Sequence, residues 1–188
     1  PEGGSRFVRA TDRPGAVRAE VGAHYSLGRL VLAAKEVSAD GTRKYLWELT
    51  DGTTVESVGI PAGDRLTVCY STQAGCAMGC TFCATGQGGL TRNLSPGEMV
   101  DQVLAVAADM RSRVSNAVAM GQGEPFANYD ASLAALRFMN SPDGAGIGAR
   151  HLTVSTCGLL PGIRRFSAEP EQFTLAISLH SAVQTTRD

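Results

Sequence analysis

Long apolar runs are missing from this 188-residue chain. None approaches the roughly 18 apolar residues that a membrane-spanning helix needs. The opening stretch, PEGGSRFVRATDRPG, has no apolar core of an export signal. The expectation is a soluble, cytoplasmic protein with no membrane partner. A surplus of one charge is missing too: 17 Lys and Arg stand against 18 Asp and Glu, for a net charge of −1. Nucleic-acid binders usually carry a basic surplus. The flat charge therefore counts against an RNA partner, unless basic surface is local or lies in segments this chain lacks. The composition of a disordered chain is also absent, since 43% hydrophobic and 19% charged residues supply a packed core. Finally, there is no initiator Met and no closing element after the terminal Thr-Thr-Arg-Asp, so the chain is expected to be a larger unit truncated at both ends.

What is present divides near residue 62. Residues 1–24 are rich in Arg, Gly and Ala and show no period. Residues 25–60 read as β-structure. Two strand-like runs, Tyr45 to Leu49 and Thr53 to Val58, flank Asp51-Gly52, a hairpin-turn pair, and Asp40-Gly41 marks an earlier turn. Residues 1–62 are assigned to an N-terminal region with a small β subdomain and 63–188 to a core. In the core, apolar strands at 66–70, 117–121, 152–155 and 173–179 alternate with helices at 95–111, 129–140 and 159–167. That alternation predicts α/β architecture with a parallel sheet, whose chemistry belongs at the strand C-termini. Ser95-Pro96-Gly97-Glu98 is a capping box with Pro at the first helical position.

Five cysteines (Cys69, Cys76, Cys80, Cys83 and Cys157) are an odd number, clustered, in a chain without an export signal. That favours metal or redox chemistry over a disulfide framework. Cys76, Cys80 and Cys83 form C-x3-C-x2-C within a glycine-rich loop running from Gly75 to Gly89. Thiolates suit zinc or iron–sulfur clusters. A structural zinc site wants four ligands, and no fourth Cys or His follows at ligand spacing. A 4Fe-4S cluster held by three cysteines keeps one iron open to a substrate. Phe82, before the third cysteine, is suited to shield such a cluster from water.

This loop, with an aromatic before its last cysteine, resembles the radical S-adenosylmethionine (SAM) superfamily. The flanking Ser71-Thr72-Gln73-Ala74-Gly75, Ala84-Thr85-Gly86, Arg92-Asn93-Leu94, Gly121-Gln122-Gly123-Glu124-Pro125, Val154-Ser155-Thr156-Cys157-Gly158 and Ile177-Ser178-Leu179-His180 are similar to the RlmN/Cfr-type RNA adenine methyltransferases. The resemblance implies a partial radical SAM (βα) barrel, with Cys76, Cys80 and Cys83 as ligands of the 4Fe-4S cluster. It implies SAM contacts from Gly123, Glu124, Ser155, Ser178, Leu179 and His180. It implies two catalytic residues. Glu56 is a base that takes a proton from the RNA adduct; by strand alternation alone it reads as a solvent-facing carboxylate. Cys69 pairs transiently with a C-terminal cysteine to release product; by composition alone it reads as a small buried hydrophobe. Gln122 departs from the family's usual Met. Cys157 stands where the family usually has a small residue, and is expected to pack in the core.

The reaction implied is methylation of C2 of an adenine in 23S rRNA, with tRNA as a further substrate. One SAM methylates a C-terminal cysteine, and a second is cleaved to an adenosyl radical that activates the S-methyl group. The methyl-carrying cysteine is expected beyond residue 188. A monomer served by a flavodoxin or ferredoxin as electron donor is implied. Three other readings stay open: a Cfr-type C8 methyltransferase, a radical SAM enzyme acting on a small molecule or peptide, and a zinc- or cluster-stabilised binding module with no activity.

Overall fold

The computed structural model describes residues 30–179 and 181–187. Among the described residues, nine strands and five helices follow one another, with 3-10 turns at Pro125–Asn128 and Ala149–His151. The first three strands are β1 (Val31–Val37), β2 (Arg43–Glu48) and β3 (Thr54–Ala62), an antiparallel meander. Its turns sit at the expected Asp-Gly pairs, where Gly41 and Gly52 both adopt positive φ, a conformation that costs a residue without Cβ little. Tyr45 and Trp47 stack in parallel at 5.1 Å on one face of β2, and the Trp47 indole N–H donates to Ser57 Oγ at 2.6 Å.

β4 (Arg65–Cys69) pairs antiparallel with β3. The glycine-rich loop follows, and it is more structured than its sequence suggests. β5 (Gln73–Gly75) and β6 (Leu90–Asn93) form a two-stranded ribbon that closes it, with α1 (Ala84–Gln87) between them. α2 (Pro96–Met110) starts on the capping box: Ser95 Oγ accepts from the Glu98 N–H, and the Glu98 carboxylate accepts from the Ser95 N–H. Then come β7 (Asn116–Ala119), α3 (Tyr129–Asn140), β8 (Leu152–Thr156), α4 (Leu160–Phe166), β9 (Thr174–Ile177) and α5 (Gln184–Arg187).

β4, β7, β8 and β9 are mutually parallel, as the alternation of strands and helices predicts. The meander is no separate layer. It continues the same seven-stranded sheet, in the order β1-β2-β3-β4-β7-β8-β9. The expected β subdomain is thus an antiparallel extension of the core sheet, because β3 has β4 as its hydrogen-bonding neighbour.

One face of the sheet is covered by α2 and α3. Met99, Val103 and Val106 of α2 and Leu136 and Met139 of α3 meet Val55, Leu66, Val68, Ala117 and Leu152 in a single core. Asp109 fastens α2 to the meander: it accepts from Lys35 Nζ at 2.9 Å, Arg43 Nη1 at 2.7 Å and the Tyr45 hydroxyl at 2.8 Å. Lys35 first, and Arg43 and Tyr45 after it, hold the Asp109 carboxyl down at about 2. Among the described residues, no helix is long and apolar enough to cross a membrane.

Candidate functional site

The open face and the C-terminal edge of the parallel strands carry the residues singled out above. Directly paired residues share a face. Val58 lies opposite Cys69, Cys69 opposite Val118, and Val118 opposite Thr153. Stepping two residues along a strand keeps the face, so Glu56, Cys69 and Ser155 all point away from the helices. Because β3 runs against β4, Glu56 also lies at the edge where β4 delivers the cysteine loop.

At that edge a cavity of about 660 Å³ opens, lined by Cys76, Cys80, Cys83, Phe82, Gly123, Glu124, Ser155, Cys157, Ser178 and Leu179, among others. Pockets of a few hundred to a thousand Å³ are the size that holds small ligands. The Oγ atoms of Ser155 and Ser178 stand 3.0 Å apart, at the ends of neighbouring strands. Glu56 and Cys69 do not line this cavity. The Glu56 carboxylate instead pairs with Lys44 Nζ at 2.8 Å. Cys69 is half-buried, and burial pushes its thiol above the usual range. His180 lies outside the described residues.

Glu124, at the end of the loop after β7, is a buried carboxylate. It is only 3% exposed. Its Oε1 accepts from the Phe126 N–H at 3.0 Å and its Oε2 from the Cys157 N–H at 2.9 Å. A buried carboxylate is tolerated only with such partners, and each oxygen keeps a lone pair for a ligand. The preceding Gly123 has φ +98, and a Cβ there would lie 2.5 Å from Gln73 Cβ and 2.8 Å from its backbone nitrogen. Glycine is what lets the loop after β7 meet the loop after β4.

A layer of buried amides, whose contacts the sequence does not reveal, supports these loops. Gln73 accepts from the Glu124 N–H at 2.8 Å and donates to Asn93 at 2.7 Å. Asn128 donates to the Thr72 and Leu94 carbonyls. Gln102 both accepts from and donates to the Ser71 backbone. Arg92, just past the cysteine loop, forks onto Glu98 at 2.8 and 3.0 Å and reaches Asp51 in the hairpin turn at 2.6 Å. Such amides have no periodic signature. Only their place beside the glycine and cysteine motifs hinted at a role.

Cys157 is a correction. It is exposed on the cavity wall, not packed in the core, because β8 ends at Thr156 and the chain turns at Gly158. Shielding by the cavity wall, and then the Glu124 carboxylate, push its thiol up to about 11.

Three thiols on one cavity are a donor set that fits an iron–sulfur cluster. Among the described residues, no three His, Cys, Asp or Glu side chains close on a single-metal position. Cys76, Cys80 and Cys83 are free thiols on one cavity. In a four-iron cube each thiolate takes a different corner, so three cluster ligands stand further apart than three ligands of one ion.

Residues 70–188 match the radical SAM superfamily. The chain belongs to that superfamily. Membership implies a 4Fe-4S cluster and SAM, which the thiols and cavity fit. The chain is 48% identical over its whole length to a protein of Pelotomaculum thermopropionicum named a probable dual-specificity RNA methyltransferase RlmN, of which it covers 51%. It is 53% identical over 95% of its length to a protein of the same name from Mycobacterium ulcerans, covering 51% of it. The crystal structure of a radical SAM methyltransferase from Sphaerobacter thermophilus superposes with a TM-score of 0.88 at 45% identity, over 93% of this chain and 52% of that one. The chain thus spans about half the length of the curated relatives it matches.

Proposed function

We propose that this chain is the cluster- and SAM-binding part of an RNA methyltransferase that modifies C2 of an adenine in 23S rRNA and also acts on tRNA. It works as a monomer reduced by a flavodoxin or ferredoxin. Support comes from relatives named as dual-specificity RNA methyltransferases at about 50% identity. The observation that carries the reading is the shared cavity, on which three thiols, a buried carboxylate and a serine pair converge.

Cys76, Cys80 and Cys83 hold the cluster. When bound there, the cluster would supply the electron for SAM cleavage. Glu124, anchored by two backbone N–H groups, offers its remaining lone pairs to the SAM ammonium as charge-assisted acceptors. Gly123 brings the backbone close. Ser155, Ser178 and Leu179 contact SAM from the ends of the neighbouring strands, and the family resemblance adds His180. Glu56 takes the proton from the RNA adduct, and Cys69 resolves the protein–RNA link by pairing with the cysteine that carried the methyl group, which is not among the five here. In the division of the chain into 1–62 and 63–188, β3 of the first part carries Glu56 and the second part holds the cofactors.

The test is a full-length protein containing this chain, assayed anaerobically with SAM, a reductant and a 23S rRNA fragment. The expected product is 2-methyladenine, abolished in Glu56→Gln or Cys69→Ala. An 8-methyladenine product would move the chain to the C8 group, and turnover only of small molecules or peptides would refute an RNA substrate.

A further inference from the structure

The open face of the sheet carries a cation beside the proposed base. Lys44 of β2 lies directly opposite Val58 of β3, and Val58 lies opposite Cys69 of β4. These three residues therefore share the open face. Glu56 stands two residues before Val58 and keeps that face, so Lys44 is its diagonal cross-strand neighbour, within reach of a long side chain. Lys44 Nζ meets Glu56 Oε1 at 2.8 Å. On its other side, Lys44 has Glu36 of β1 directly opposite. Glu56 first, and Glu36 after it, hold the Lys44 ammonium above its usual range. The backbone of Glu56 is anchored as well. Its carbonyl accepts from Ser71 Oγ at 2.6 Å, and that same hydroxyl oxygen accepts from the Gln122 N–H at 2.9 Å. The main chain at Glu56 is thereby tied to the loops after β4 and β7, and its carboxylate to β2.

We propose that Lys44 is the positioning residue of Glu56: its ammonium fixes the carboxylate on the open face, aimed for proton removal from the RNA adduct. The inference rests on the reading of Glu56 as the base and deepens it. A free glutamate side chain spreads over several rotamers, and ordering it costs free energy. An ion pair already in place meets that cost before the substrate arrives, and a well-aimed catalytic group reacts faster for it. The pair engages Oε1, and a carboxylate has a second oxygen for the incoming proton. The proton passes to Glu56, and Lys44 keeps its own. The two side chains are 49% and 38% exposed, and ion pairs so open to solvent add little to stability. Loss of Lys44 should therefore show in catalysis and not in folding.

The test uses a full-length protein containing this chain, with SAM, a reductant and a 23S rRNA fragment, either unlabelled or deuterated at adenine C2. Wild type, Lys44→Met, Lys44→Arg and Glu56→Gln are compared. Lys44→Met should lower kcat roughly tenfold, as expected when a catalytic group loses its aim, while KM for RNA and the denaturation midpoint stay as in wild type. The isotope effect from the deuterated RNA should grow in Lys44→Met, because proton removal becomes slower relative to the other steps. Lys44→Arg, which keeps the charge, should recover most of kcat. A raised KM with kcat unchanged would overturn the inference and make Lys44 a contact to RNA phosphate. An unchanged kcat and isotope effect would overturn it too. Wild-type turnover by Glu56→Gln would overturn the reading of Glu56 as the base, and this inference with it, whereas an inactive Glu56→Gln beside a fully active Lys44→Met would overturn the inference alone. Should Lys44→Met fail to fold, Lys44→Gln, polar and without charge, gives the same comparison.

Discussion

On the helix-covered face of the sheet, Val55, Leu66, Val68, Ala117, Leu152 and Val154 are each at most 1% exposed. On the other face of the same strands, Glu56, Cys69 and Ser155 are only half-buried, and several large apolar groups near the edge, among them Met120, Ile177 and Leu179, are about half exposed or more. One set of strands therefore meets two demands. The first face stabilises the fold by removing apolar area from water. The second is freed from that demand and can present acids, thiols and hydroxyls whose value is chemical. Substitutions on the two faces should separate stability from ligand binding, and four predictions sharpen that contrast.

The largest effect belongs to the covered face. Leu152→Ala should cost about 2–5 kcal/mol, the range for truncating a buried leucine, read as a drop in the midpoint of chemical denaturation. Glu124→Gln comes next, because it sits between the two regimes. Its new NH2 group faces backbone N–H donors, so Phe126 or Cys157 loses an acceptor. Leaving a buried donor unpaired costs about 1–3 kcal/mol, and SAM affinity should fall with it in equilibrium binding measurements.

Asp109 tests the charged fastening of α2 to the meander. Its folded carboxyl is held at about 2, below the ordinary value of about 3.9. A carboxyl with a lowered folded pKa contributes stability above its unfolded value and loses it as pH falls through the folded one. The contribution should therefore be complete above about pH 4 and fade towards pH 2. Asp109→Asn should cost about 1 kcal/mol at pH 7, because the groups are partly solvated, and should flatten that part of the stability–pH curve. The smallest effect on folding belongs to the open face. Ser155→Ala should stay within about 0.5 kcal/mol of wild type, yet weaken SAM binding by roughly fivefold, the worth of about one hydrogen bond. Equal destabilisation by Ser155→Ala and Leu152→Ala would erase the contrast between the faces.

Much of this architecture was legible because it rests on local rules. The Asp51-Gly52 turn, the Ser95 capping box and the alternation of apolar strands with helices each write themselves into consecutive residues. The helix at 129–140 matches its expected bounds. The ribbon of Gln73–Gly75 with Leu90–Asn93 was not legible, since strands of three and four residues carry no period. Nor was the joining of the meander to the core sheet, which depends on the pairing of β3 with β4. In the site, the cysteine spacing was readable because thiolates are rare and their intervals are informative. The burial of Glu124 and the exposure of Cys157 were not, because each follows from where two distant loops meet. The roles of the amides Gln73, Gln102 and Asn128 were invisible for the same reason: a buried amide is explained only by the groups it reaches.

The most direct test of the central claim is anaerobic reconstitution of this chain with iron and sulfide, followed by EPR of the reduced protein before and after SAM is added. The account predicts a reducible four-iron cluster whose spectrum changes when SAM binds, and loss of the cluster when Cys76, Cys80 or Cys83 is replaced by Ala. A colourless protein retaining zinc, or a cluster whose spectrum is indifferent to SAM, would contradict it.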